Sequence, residues 1–253
     1  MLDAQSTDPL VGDTYAATFL GDKGKEIFNL FRDFRNPDGS NITRCYLIDE
    51  IVQARLLSAP LRRVVLVGAG FDFRAFRLKY GRWMELGEAG GIKRKEAVAP
   101  ADSTPNPLPR ITIDFAREKL MDALAPFAAT EPVIVIVEGV LVYLDQARIK
   151  QLADTLCKLF PKHTLVCDVM QRRFFKKLSA PIHKVIESPG ARFQWPVDDP
   201  KRRIEELGYR TTQRISIALR AAELKCIPIP AFVVRWLLPS LRKGYSVCVF
   251  ERC

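Results

Sequence analysis

The 253-residue chain has two histidines, His163 and His183, too few to build a histidine-based metal site. Its six cysteines form no C-x-x-C pair, and Cys157, Cys167 and Cys248 stand in apolar segments where they read as small buried hydrophobes. No apolar run approaches the roughly 20 residues that span a bilayer. The run Val133–Val137 is only strand-sized. The first thirteen residues, MLDAQSTDPLVGD, lack the apolar stretch of a secretory signal, so a reduced, cytoplasmic setting with no membrane partner is expected. The phosphate-loop pattern G-x-x-x-x-G-K-[ST] is missing, as are the signatures of zinc fingers and of RRM, KH and helix-turn-helix modules.

What is present is globular. Hydrophobic residues make up 48% of the chain, which excludes a disordered chain and suffices for a substantial core. Lys and Arg number 39 against 29 Asp and Glu, a net charge of +10. The excess is dispersed in short clusters such as Arg62-Arg63, Lys93-Arg94-Lys95 and Lys201-Arg202-Arg203. That distribution fits solvated faces and helix ends better than a nucleic-acid stripe, so no nucleic-acid partner is expected.

The middle of the chain alternates short apolar runs with helical patterns. Strands are expected at 63–68, 83–86, 110–114, 132–138 and 164–168. A helix is expected over Asp72–Tyr80, opening on the turn Gly68-Ala-Gly70, and another over Gln146–Phe160 behind the N-cap Asp145. Residues 99–109 read as a loop. The C-terminal third is less regular, with a short helix at Pro200–Leu207, strands at 209–217 and 245–251, and a proline-rich apolar segment between them. Repeated strand–helix alternation predicts an α/β fold, a doubly wound and mostly parallel sheet, with the last two strands pairing antiparallel.

In such sheets ligands bind at the carboxyl ends of the strands. Those ends carry Gly68-Ala-Gly70, Glu85, Asp114, Glu138 and Asp168. A glycine turn beside several acids suits a ligand with hydroxyls, amines or a positive charge. The third glycine of G-x-G-x-x-G is replaced by the bulky Phe73, which disfavours a dinucleotide and leaves a phosphate-free nucleoside such as S-adenosylmethionine.

Four ordered segments then resemble the leucine carboxyl methyltransferase-like family of class I S-adenosylmethionine-dependent O-methyltransferases. They are Arg44-Cys-Tyr-Leu-Ile48-Asp49, the run VVLVGAGFDFRAFRL from Val64 to Leu78, Ile113-Asp114-Phe115, and Glu138-Gly139-Val-Leu-Val-Tyr143-Leu144. The resemblance covers about residues 8 to 170 and implies a seven-stranded, Rossmann-like sheet with an antiparallel C-terminal strand. It implies one domain over 1–253, with 1–60 as a helical cover and 171–242 holding a candidate substrate lid. It also assigns roles. Arg44 would hold the methionine carboxylate and Gly68 and Gly70 would floor the methionine and ribose. Asp114 and Phe115 would address adenine, and Glu138 would face the ammonium and sulfonium. Each has a plainer reading: a surface salt bridge for Arg44, a helix N-cap for Asp114, a solvated strand end for Glu138. The family's second strand ends E-x-D, but here it reads Glu85-Leu86-Gly87, which leaves Glu85 or Glu88 to serve the ribose. Tyr143, Phe193 and Trp195 could line an acceptor pocket or simply pack, and His183 is a candidate base or a surface residue. No metal is implied. The implied activity is methylation of a carboxylate or phenolic hydroxyl on a small-molecule acceptor in natural-product metabolism. The alternatives are a protein C-terminal carboxyl methyltransferase or a degenerate, non-catalytic binding protein.

Overall fold

Alternate residues of the central strands point to opposite apolar layers, and this two-residue period organises the molecule. The computed structural model describes residues 3, 7–16, 18–19, 21, 26, 35–115, 118–176, 194 and 197–252. Seven strands form one sheet: β1 (Arg63–Val67), β2 (Arg82–Gly87), β3 (Arg110–Thr112), β4 (Val133–Val137), β5 (His163–Met170), β6 (Tyr209–Ser216) and β7 (Tyr245–Arg252). Their spatial order is β3-β2-β1-β4-β5-β7-β6. The first five are parallel, whereas β7 runs antiparallel to β5 and to β6, as the sequence predicts for the last two strands. A bulge interrupts the β6–β7 register between Thr211 and Gln213.

All five residues of β4 are buried, so both faces of the sheet are covered. On one face Val64, Leu66, Ile134, Ile136, Val166, Val247 and Val249 meet α1 (Arg35–Ser58), which contributes Leu47, Ile48, Ile51, Val52 and Leu56. On the other, Val65, Val67, Val133, Val135, Val137 and Leu165 meet Ile149, Leu152, Ala153 and Leu156 of one helix. That helix, Gln146–Leu159, begins where the Asp145 carboxylate accepts from the Arg148 N–H at 2.8 Å.

Shorter helices complete the frame. They are α2 (Arg74–Arg77), α3 (Ala89–Val98) and α4 (Leu120–Leu124); the helix at Gln146–Leu159 is α5. Behind it come α6 (Pro200–Glu205), α7 (Ile217–Glu223) and α8 (Pro239–Gly244). The helix expected over 72–80 is only the four residues of α2. Leu78 turns extended, and the buried Asn106 amide donates to the Ala75 and Leu78 carbonyls at 2.6 and 2.9 Å, which ends the helix from outside. The strand expected to reach Asp114 stops at Thr112. Among the described residues no helix is long and apolar enough to cross a membrane.

Candidate functional site

The sheet order reverses between β1 and β4, which leaves a crevice at their carboxyl ends. β1 runs into Gly68-Ala69-Gly70. Gly68 has φ +73° and Gly70 φ +46°, backbone that L side chains rarely adopt. The two differ in surroundings. A side chain on Gly68 would begin 2.5 Å from Val140 Cγ2, so this glycine lets the loop after β4 pack closely. At Gly70 the nearest atom is the Gly68 carbonyl at 3.9 Å, so space lies open beside the turn. Phe73 is buried and carries the rings of Tyr15 at 4.7 Å and Phe19 at 4.8 Å. The bulk that replaces the third glycine is therefore a packing anchor for N-terminal residues.

Beside the turn lies a charged cluster drawn from distant parts of the chain. Arg44 of α1 donates through Nε to Glu138 Oε1 at 2.8 Å and through Nη1 to the Tyr245 hydroxyl at 2.6 Å, with Asp168 Oδ2 at 3.8 Å. Tyr245 in turn donates to Asp168 Oδ2 at 2.8 Å, and the Gly139 N–H donates to Asp168 Oδ1 at 2.6 Å. Arg74, fully buried, meets Glu138 Oε2 at 2.7 Å and Asp49 Oδ1 at 2.6 Å, and also pairs with Asp72. Arg77 pairs with Asp49 as well. Three guanidinia thus face four carboxylates, an excess of one negative charge within the cluster. Burial pushes the Glu138 carboxyl up, but the Arg74 and Arg44 guanidinia outweigh it and hold the group at about 2. Burial pushes the Cys45 thiol, which lies against Arg74, up to about 12, so it is no nucleophile at neutral pH.

The remaining candidates fall into three groups. Asp114 and Phe115 follow β3 on the same edge; both are half-buried, and Phe115 packs on the apolar layer. Tyr143 ends a 3-10 turn after β4, half-buried, with burial raising its hydroxyl pKa. Glu85 sits inside β2 with no exposure. Its Oε2 meets Lys95 Nζ at 2.8 Å and Arg110 Nε at 3.0 Å, while Oε1 has no hydrogen-bond partner among the described residues. Burial raises the Glu85 pKa and lowers that of Lys95, each opposed by its partner. Trp195, Phe193 and His183 lie outside the described residues. Arg44, Gly68, Gly70, Asp114, Glu138 and Tyr143 are all brought to one edge of the sheet. Sequence reasoning assigned no role to Arg74, Asp72 or Tyr245. Arg74 carried a signal shared with Arg77, cations set among the apolar residues of the segment 71–78; Tyr245, 201 residues from Arg44, carried none.

Among the described residues no group of three or more His, Cys, Asp or Glu side chains is arranged to hold a metal ion. The donor set fits a zwitterionic nucleoside sulfonium instead. A guanidinium matches a carboxylate, the net negative cluster matches a ligand of net positive charge, and the space beside Gly70 admits its body.

Solved structures share this sheet. One, provisionally named a methyltransferase from Thermobifida fusca, superposes with a TM-score of 0.64 at 12% identity, over 91% of this chain and 88% of its own. Magnesium protoporphyrin IX methyltransferase from Synechocystis PCC 6803, solved with SAM bound, gives 0.52 at 12% identity over 95% and 96%. The fold is that of the class I methyltransferases. Residues 1–157 match the leucine carboxyl methyltransferase family model, and the chain belongs to that family. A Streptomyces coelicolor protein provisionally named an S-adenosyl-L-methionine-dependent methyltransferase is 31% identical over 179 residues, 62% of this chain and 58% of its own. A Mycobacterium tuberculosis protein with the same provisional name is 31% identical over 165 residues, 56% and 53%. The chain spans little more than half the length of these relatives.

Proposed function

We propose that the chain is an S-adenosylmethionine-dependent O-methyltransferase. Its acceptor is the carboxylate or phenolic hydroxyl of a small molecule, in polyketide-like natural-product metabolism. The observation that carries this reading is the Arg44–Glu138–Arg74 cluster beside Gly70, at the reversal of sheet order. Arg44 would hold the methionine carboxylate. None of its hydrogen bonds among the described residues uses Nη2, which lies 3.6 Å from where a side chain on Gly139 would begin. Glu138, ionised throughout the neutral range, would face the positive end of the cofactor. Asp114 would accept from the adenine amine, with Phe115 on the ring, and Tyr143 would border the acceptor. Gly68 would shape the turn and Gly70 would admit the ribose.

When bound, the sulfonium supplies an already activated methyl group. The chain's own residues then have to orient the donor, exclude water and place the acceptor oxygen in line. A carboxylate acceptor is nucleophilic at neutral pH and needs no base from the protein. The basic surface also suits an acidic acceptor.

One observation favours the non-catalytic reading. Gly87 offers no acceptor for the ribose diol, and the nearby Glu85 is engaged by Lys95 and Arg110. Calorimetric titration with S-adenosylmethionine, paired with transfer of labelled methyl to small acids, phenols and peptides with free C-termini, decides between them. Expected are saturable binding, labelled small acids or phenols, and about tenfold or greater weakening in Asp114→Ala, the scale of a hydrogen bond to a charged group. Binding without transfer would leave the non-catalytic reading. Label on peptides alone would select protein carboxyl methylation. No binding at millimolar cofactor would end the methyltransferase reading and leave the non-catalytic one. Gly87→Asp should tighten binding. Gly87 is not in the left-handed region, and a side chain there meets only the flexible tip of Ile92, at 3.3 Å.

A further inference from the structure

Between β6 and β7 the chain makes an excursion, residues 217–244, on the same edge of the sheet as the charged cluster. Ser216 ends β6 opposite Ser246, and Tyr245, which opens β7, reaches Asp168 and Arg44. Within the excursion a π-helical turn, Val233–Leu237, presents an unusual surface. Phe232 is 63% exposed, Trp236 75%, Leu237 66% and Leu238 37%. Single exposed hydrophobes are ordinary, but four in seven residues, two of them aromatic, mark an interaction surface.

The turn is held firmly in this pose. Val234 is fully buried among Ala218, Ala221, Ala222 and Ile227. Arg235 pairs with Glu223 at 2.7 Å, and Arg242 donates to the Arg235 carbonyl at 2.9 Å. Pro230 and Pro239 bracket it, and the Pro230 carbonyl accepts from the Val233 N–H at 3.0 Å. Burying Val234 inward forces its neighbours outward. π-turns concentrate at functional positions, and this one aims its apolar side chains away from the core.

Charge identifies the partner. From Leu224 to Phe250 there is no Asp or Glu, while Lys225, Arg235, Arg242 and Lys243 supply positive charge. Lys225 and Lys243 are exposed. Glu223 lies beside the turn but is paired with Arg235, and the exposed Lys225 and Lys243 leave the Trp, Phe and Leu tip in a basic setting, the composition of a segment that seats in the interface of an anionic bilayer. We infer that the turn Val233–Leu237 docks this protein on anionic lipid surfaces, with Phe232, Trp236, Leu237 and Leu238 entering the headgroup region and the flanking cations meeting the phosphates. The proposal departs from the expectation of no membrane partner, and it is independent of the methyl-transfer reading.

The test is co-sedimentation of the full chain with phosphatidylglycerol-containing vesicles and with pure phosphatidylcholine vesicles, at low and high ionic strength. The anionic vesicles should bind the chain at least about tenfold more tightly, with the difference shrinking in salt. The exposed double variant Trp236→Ser/Leu237→Ser should lose about tenfold or more of that affinity with an unchanged melting temperature, because both side chains already face solvent. Lys225→Glu/Lys243→Glu should abolish the preference for anionic lipid while leaving the fold intact. Equal binding to both vesicles, or full binding by either double variant, overturns the proposal. So does a concentration-dependent dimer that dissociates in the Trp236→Ser/Leu237→Ser variant, which would assign the turn to a second copy of the chain.

Discussion

Arg74 has no exposed surface, and its guanidinium answers three carboxylates, Asp49, Asp72 and Glu138. Removing it strands acids in a site with little water. Arg74→Met should therefore cost about 3–5 kcal/mol, the usual consequence of breaking a buried pair from one side, read by urea unfolding at neutral pH. Glu138 allows the same cluster to be titrated. Its folded carboxyl is held at about 2, below the ordinary 4.5, so the charged form is the one that folding favours. The stability this confers is complete above about pH 4.5 and is lost as pH falls towards about 2. The stability gap between wild type and Glu138→Gln should thus be widest at neutral pH and narrow steadily below pH 4.5; a gap that stays constant down to pH 2 would show that the charge is not what the cluster stabilises. At this scale half of the site is legible in the sequence. Glu138 is marked by its place at the end of an apolar strand, and Arg44 by the resemblance of its segment to the family's motif. Arg74 and Tyr245 act through partners 64 and 77 residues away, and no local pattern encodes such pairings.

The turn after β1 separates two uses of glycine that look alike in sequence. At Gly68, alanine adds positive-φ strain and a contact 2.5 Å from Val140 Cγ2. At Gly70, alanine adds the strain alone, since nothing but the Gly68 carbonyl lies within 4 Å. Gly68→Ala should cost about 2–4 kcal/mol and Gly70→Ala about 1–2 kcal/mol, by thermal or urea unfolding. Val140→Ala should recover part of the Gly68→Ala loss and none of the Gly70→Ala loss. Gly70→Ala should instead weaken S-adenosylmethionine binding, because its side chain enters the open space. The strands themselves are legible because five-residue apolar runs such as Val133–Val137 have few other places to go. The helix α3 is not: AGGIKRKEAV opens on two glycines and buries only Ile92 and Lys95. Packing on β2 and the Lys95–Glu85 pair hold it, and neither is written in local propensity. The truncation of α2 has the same origin, since the asparagine that ends it comes from 28 residues further on.

Across the whole molecule the family match and the charged cluster do not cover the same ground. The family model ends at residue 157, yet Asp168 and Tyr245 close the cluster from beyond that point. Among the described residues the C-terminal part of the chain is thus tied into the crevice by the Asp168 carboxylate and the Tyr245 hydroxyl, while β6 and the turn Val233–Leu237 stand apart from it. Hydrogen exchange with and without S-adenosylmethionine tests that division. At a ligand concentration about a hundred times its dissociation constant, binding stabilises the native state by about 2.7 kcal/mol. Exchange through global unfolding should slow everywhere by that amount, but exchange through local opening should slow only where the ligand touches. Extra protection is therefore expected in Arg44–Asp49, Gly68–Arg77 and Glu138–Gly139, and at Tyr245 through its bond to Arg44. Amides of β6 and of the π-helical turn should change no more than the global value, since their anchors are Glu223, Ala221 and β7. Protection concentrated on the turn, with the Arg44 and Glu138 segments unmoved, would place the ligand against the excursion and remove the crevice between β1 and β4 as its site.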